Sequence, residues 1–184
     1  MGYDSPYGTG NRTASITVTT TLNFHANPDL GGVAMFVNGN KTEEQMWSAD
    51  ALTGNYLRFQ FLESIIMDHL KWYQADTTTH GVVKVQGSND GTNWTDIGTS
   101  FSLGGATAQE IDISGNVTEY TYYQLLGVSG SINSPYPWIY EMEFSWTYPV
   151  SPSDIKSISG IPYANIKSID GLAIASVKSI DGVV

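Results

Sequence analysis

The sequence predicts an all-β protein, an antiparallel β-sandwich carrying a short repeat tail, and three observations predict it. Short runs rich in Val, Ile, Thr, Tyr and Phe recur between residues 15 and 148, several with apolar and polar positions alternating. Clusters such as SNDGTN, SLGGAT, SGNV and NSPYP, the residue types that turn a chain, separate them. Helix-forming composition is confined to one stretch around 41–51, where Thr42 could cap TEEQMWSADAL. Together these point to about eight short strands in stacked sheets.

Taken in order, residues 1–14 are rich in Gly, Tyr and Asn without periodicity, and are expected to form an arm that orders only against a neighbour. The row SITVTTTL at 15–22 sets Ile16, Val18 and Leu22 on one face and Thr on the other, so the sandwich, 15–148, is expected to begin there. Further strands are expected at 56–62, 65–73, 82–87, 95–97, 108–113, 120–128 and 139–148. Between the third and fourth of these, Asp90-Gly91 supplies the positive φ of a tight hairpin, and Trp94 is expected to cover the sandwich core. Trp47 and Trp146 also read as core residues.

The tail, 149–184, differs from everything before it. IKSISGIPYAN, IKSIDGLAIAS and VKSIDGVV begin at Ile155, Ile166 and Val177, a strict spacing of eleven residues. Apolar residues recur at the first and fourth positions: Ile155 and Ile158, Ile166 and Ile169, Val177 and Ile180. Pro149, Pro152 and Pro162 oppose a helix, as do Gly160, Gly171 and Gly182 at identical phases. A single thread has no second layer to bury this stripe. The tail is therefore expected either to be completed by a partner surface or to fold back as edge strands on its own domain.

Charge and composition narrow the function. The net charge is −10 with only eight Lys and Arg, three of the Lys in the tail, too few cations to neutralise phosphates, so nucleic acid is not an expected partner. Absence of Cys removes disulfides, thiolate metal sites and cysteine nucleophiles. No membrane-length apolar run and no export signal appear, and neither GxSxG, HExxH nor a phosphate-binding glycine loop occurs, so the chain is not expected to be an enzyme.

Six phrases carry a family likeness: AMFVNGNKTEEQMW at 34–47, YLRFQF at 56–61, IIMDHLKWY at 65–73, VVKVQGSNDGTNWTDI at 82–97, YTYYQLLGV at 120–128 and WIYEMEFSW at 138–146. In this order they resemble the discoidin domain, or coagulation-factor type C domain, a jelly-roll related to galactose-binding-like carbohydrate modules. The resemblance implies a structural Ca2+ between the loop holding Asn38, Asn40 and Thr42 and the strand residue Glu141. The sequence departs from the family there, with Asn38 where relatives often have Asp, and Lys41 adding positive charge. The residues alone read equally as a loop tied by Asn side chains, with Glu141 accepting from backbone amides.

The resemblance also implies a ligand site in loops at one end of the sandwich, here 25–32, 74–81 and 131–138. His25, His80, Tyr136 and Trp138 lie in these loops and could stack on the apolar face of a sugar. None of the three loops contains Arg or Lys, unlike many galactose-binding relatives.

Two readings follow. The first is a bacteriophage virion structural and adhesion protein. It would show its sandwich on the outer face of the particle and bind a host cell-surface glycan. The tail repeats, similar to short repeats of phage structural proteins, would anchor it to capsid, tail or fibre proteins or to further copies of itself, without membrane insertion. The alternative is a carbohydrate-binding module of a bacterial surface or secreted protein.

Overall fold

The computed structural model describes residues 2–23, 32–42, 51–132 and 138–148, together with the backbone of four two-residue strands between 157 and 173. The chain divides into two units, Met1–Thr147 and Tyr148–Val184.

In the first unit alternation builds the layers. Ile16 and Val18 of β1 (Ile16–Thr20) are buried, while Thr17 and Thr19 face solvent. One layer runs β1, β2 (Tyr56–Gln74), β6 (Tyr120–Ser129), β3 (Thr79–Ser88), β4 (Thr95–Gly104), and in the other β2 also pairs with β5 (Ala108–Asp112) and β7 (Ile139–Thr147), every pairing antiparallel. Phe59 and Phe61 of β2 meet Phe144 of β7 edge-on, with ring centroids 4.9 and 5.4 Å apart, and this contact closes the core between the layers.

The two strands expected at 56–62 and 65–73 are one strand of 19 residues that belongs to both layers. Tyr56–Gln60 pairs with β1 and β6, the register breaks between Gln60 and Ile65, and from Ile66 onward the strand pairs with β7 and β5. A strand can change sheets only by giving up ladder bonds at the corner, and those polar groups need other partners. Tyr123, fully buried, supplies them: its hydroxyl donates to Ile65 O at 2.8 Å and accepts from Met67 N–H at 3.1 Å. Tyr123→Phe is expected to cost about 1–3 kcal/mol in urea unfolding, because it strands both backbone groups without altering shape.

The expected N-terminal arm lies against its own domain. Tyr7 is 1% exposed between Phe61 and Trp146, and Gly8 O accepts from Phe144 N–H while Gly2 bridges to Trp146. Residues 2–8 thus cover the edge of β7 that faces away from β2, which an aperiodic sequence gave no means of seeing. The expected helix falls almost wholly on 43–50, outside the described residues, as does Trp47. A 3-10 helix at Gly32–Val37 buries Met35, Phe36 and Val37 instead.

Gly91 adopts the expected positive φ, +70, and Asp90 Oδ1 accepts the N–H groups of Thr92 and Asn93, but the hairpin is not tight: residues 89–94 join β3 to β4. Trp146 is in the core, but Trp94 is not: it is half-exposed, with the Arg58 guanidinium 4.5 Å from its ring centroid. Its place just before β4, an edge strand, leaves it outside the packed layers.

In the second unit two short antiparallel pairs form, β8 (Ser157–Ile158) with β9 (Ile161–Pro162) and β10 (Ser168–Ile169) with β11 (Leu172–Ala173). The repeat thus has a structural counterpart, with Ile158 opposite Ile161 and, eleven residues on, Ile169 opposite Leu172. Ile155, Ile166, Val177 and Ile180 lie outside the described residues. Among the described residues no helix is long and apolar enough to cross a membrane.

Candidate functional site

Strand β2 ends at Gln74 and β3 begins at Thr79, while β6 ends at Ser129 and β7 begins at Ile139, so their connections emerge together at one end of the sandwich. Backbone bonds hold them side by side. Ala75 N–H donates to Trp138 O and Gly81 N–H to Ser131 O, both at 2.8 Å, and Leu52 N–H reaches Gly130 O at 2.9 Å. The described parts of two of the three loops expected to meet ligand therefore adjoin; residues 133–137 of the second and 25–31 of the third lie outside the described residues.

Beneath them is a buried polar network. Gln74, 2% exposed, accepts through Oε1 from Trp72 Nε1–H at 2.7 Å and faces His80 Nε2 at 3.2 Å. Its Nε2 donates to Asp76 O at 2.9 Å and Thr78 O at 2.7 Å. With the amide oriented by those two carbonyls, Oε1 can only accept, so His80 carries its proton on Nε2. One side chain thereby ties the strand end, the loop backbone and the next strand together. Sequence reasoning missed Gln74; its one signal was a polar residue closing an apolar strand.

The four residues expected to contact ligand fare differently. Trp138 is half-buried at the loop end, its carbonyl fixing Ala75. His80 is only 4% exposed and lies edge-on to Trp72, so it supports the loop from below and offers no face to a sugar. His25 and Tyr136 lie outside the described residues.

Burial lowers the His80 pKa below its ordinary value, with Asp76 opposing. A histidine kept neutral in the fold contributes stability above its unfolded pKa of about 6.5, and that stability is lost as pH falls below it and the unfolded chain takes up a proton. Denaturant midpoints should therefore fall between about pH 7 and pH 5, with His80→Gln flattening that slope.

The residues expected to hold Ca2+ are otherwise engaged. Asn38 Oδ1 accepts Asn40 N–H at 2.8 Å, and Asn40 Oδ1 accepts Thr42 N–H at 3.0 Å. Glu141, fully buried, accepts Gly39 N–H through Oε2 at 2.7 Å and pairs through Oε1 with Arg12 Nη2. The Arg12 guanidinium, 2% exposed as a residue, also donates to the carbonyls of Tyr7, Gly8, Gly10 and Met142. Burial pulls the Arg12 pKa down and pushes that of Glu141 up, while their mutual attraction works against both shifts and the Gly39 amide against that of Glu141. Lys41 pairs with Glu143 at 2.6 Å, so two cations already balance two carboxylates. This donor set does not fit a calcium ion. Among the described residues no group of three or more His, Asp or Glu converges elsewhere. Arg12 escaped the sequence analysis because it sits in the supposed arm, although it is the first cation in the chain and the next is Lys41.

No family model and no curated protein matches the sequence. Solved structures do match. A CBM32 module of a family 31 glycoside hydrolase from Clostridium perfringens has a TM-score of 0.54 at 10% identity, over 70% of this chain and 92% of that one. Chitosan-binding module 2 of a Paenibacillus chitosanase/glucanase, in complex with chitotriose, scores 0.53 at 17% identity, over 71% and 95%. The fold is that of carbohydrate-binding modules. A third such module, the Clostridium perfringens CBM32-5 in complex with GalNAc-β-1,3-galactose, scores 0.52 at 13% identity, over 72% and 96%. The galactose-binding-like sandwich anticipated from the discoidin-like phrases is thus present, and the similarity spans nearly the whole of each module.

Proposed function

We propose that the sandwich is a glycan-binding module whose ligand meets the loop end formed by 74–81 and 130–138. The observation that carries this reading is the convergence of the described ends of those loops beside Trp138, on a backbone fixed from below by Gln74, in a fold shared with modules bound to chitotriose and to GalNAc-β-1,3-galactose. A ring at the rim can cover the apolar face of a pyranose, while the exposed loop amides and hydroxyls take its hydroxyl groups. Asp29 and Asp76 are the charged residues of the three loops, without Lys or Arg, so the ligand is a neutral or amino-sugar glycan and polyuronates are disfavoured.

This reading takes the place of the bacteriophage one, which draws on the tail repeats together with the polar N-terminal residues, the low charge and the lack of an export signal. The β8–β9 and β10–β11 pairs, repeating at the period of the sequence, support a separate role for the tail as an assembly segment. A glycan panel probed with the full chain tests the main reading. It should retain the chain on chitosan oligosaccharides or on galactose- or glucosamine-terminated glycans and not on polyuronates; binding to none of the neutral and amino-sugar glycans would overturn it.

A further inference from the structure

We infer that the Arg12 guanidinium is the resident cation of this fold, standing where the family resemblance leads one to expect a metal ion. The argument is geometric. Five oxygens converge on one buried side chain: the carbonyls of Tyr7, Gly8, Gly10 and Met142, and Glu141 Oε1. All are of the type a hard divalent cation takes, four of them backbone carbonyls, gathered from two chain segments 129 residues apart. A guanidinium spreads five N–H donors over a rigid plane and meets these five oxygens one for one, leaving no donor for water.

The sequence around the cage is arranged to bring Arg12 there. Arg12 N–H donates to Val37 O at 2.8 Å, laying residues 10–12 along the 37–40 loop. Gly39, at φ +87, packs so closely on Gly10 and Asn11 that a side chain there would run into their backbone, and its N–H completes Glu141. The same guanidinium lies 5.7 Å from the Phe144 ring centroid, so the cation is also roofed by the core. The N-terminal segment is thereby stapled to β7 by an internal charge, and the fold needs no calcium to close this corner.

Melting the full chain in EDTA and in millimolar CaCl2, with calcium titration calorimetry, tests this. The native protein is expected to melt at the same temperature in both buffers and to show no binding heat. A calcium-dependent rise of several degrees, abolished by Glu141→Gln, would overturn the inference. Arg12→Ala opens the cage; it should melt lower than native in EDTA and recover in calcium. A folded Arg12→Ala as stable as native and indifferent to calcium would show that no cation is needed there, and would also overturn it. Should Arg12→Ala not fold, Arg12→Lys and Arg12→Met decide: the lysine variant should melt well above the methionine variant, and equal melting would count against a role for charge.

Discussion

Trp138→Ala is expected to weaken glycan binding about thirtyfold, the cost of roughly 2 kcal/mol typical of losing a central aromatic anchor. Its effect on stability should be much smaller. Trp138 is only half-buried, and the bond that positions the neighbouring loop runs from Ala75 N–H to the Trp138 carbonyl, which alanine retains. Trp138→Phe keeps a stacking face and should bind within a few-fold of native. Isothermal titration with the best glycan of the panel reads both. Native affinity in the alanine variant would remove Trp138 from the site.

The largest expected effect on stability belongs to Gln74→Leu, which preserves volume and removes every polar contact of a side chain 2% exposed. Trp72 Nε1–H and His80 Nε2–H lose their common acceptor and the Asp76 carbonyl loses its side-chain donor, while the Thr78 carbonyl keeps the Gly105 N–H. Each stranded group costs about 1–3 kcal/mol, and local relaxation will recover part of it, so a loss of about 3–5 kcal/mol is expected as a lower urea midpoint at unchanged slope. Glycan affinity should fall as well, since the 74–81 backbone loses its tether. A loss below about 1 kcal/mol would mean the network is ornamental and the loop is held by other contacts.

Much of the fold was legible because its strands alternate. Ile16 and Val18, Phe59 and Phe61, Val83 and Val85 all bury as their spacing predicts. Strand β4 was read as 95–97 but runs to Gly104: an edge strand with only Ile97 and Leu103 buried carries little periodicity to detect. The joining of two runs into β2 was invisible for a related reason. The residues at its corner, Leu62 and Glu63, are exposed and look like a turn, while the hydroxyl that stabilises the corner comes from Tyr123, far away in sequence.

The site was read less well than the fold. Placing loops 74–81 and 131–138 together followed from family likeness, and the backbone bonds bear out their adjacency. The role of His80 did not follow, because a histidine in a polar loop carries no mark of burial; Gln74 and Trp72 create it. At the expected metal position Glu141 is engaged by an arginine more than 120 residues away, a pairing that only the closed structure brings about.

Amide chemical-shift mapping of the 15N-labelled chain, titrated with a chitosan or galactosamine oligosaccharide retained by the panel, tests the central claim most directly. Saturable shifts should centre on residues 75–81 and 130–138, including the Trp138 indole, and should vanish in Trp138→Ala. Saturable shifts confined to the opposite end of the sandwich, around 90–95 and 114–119, would place the ligand elsewhere and contradict the account.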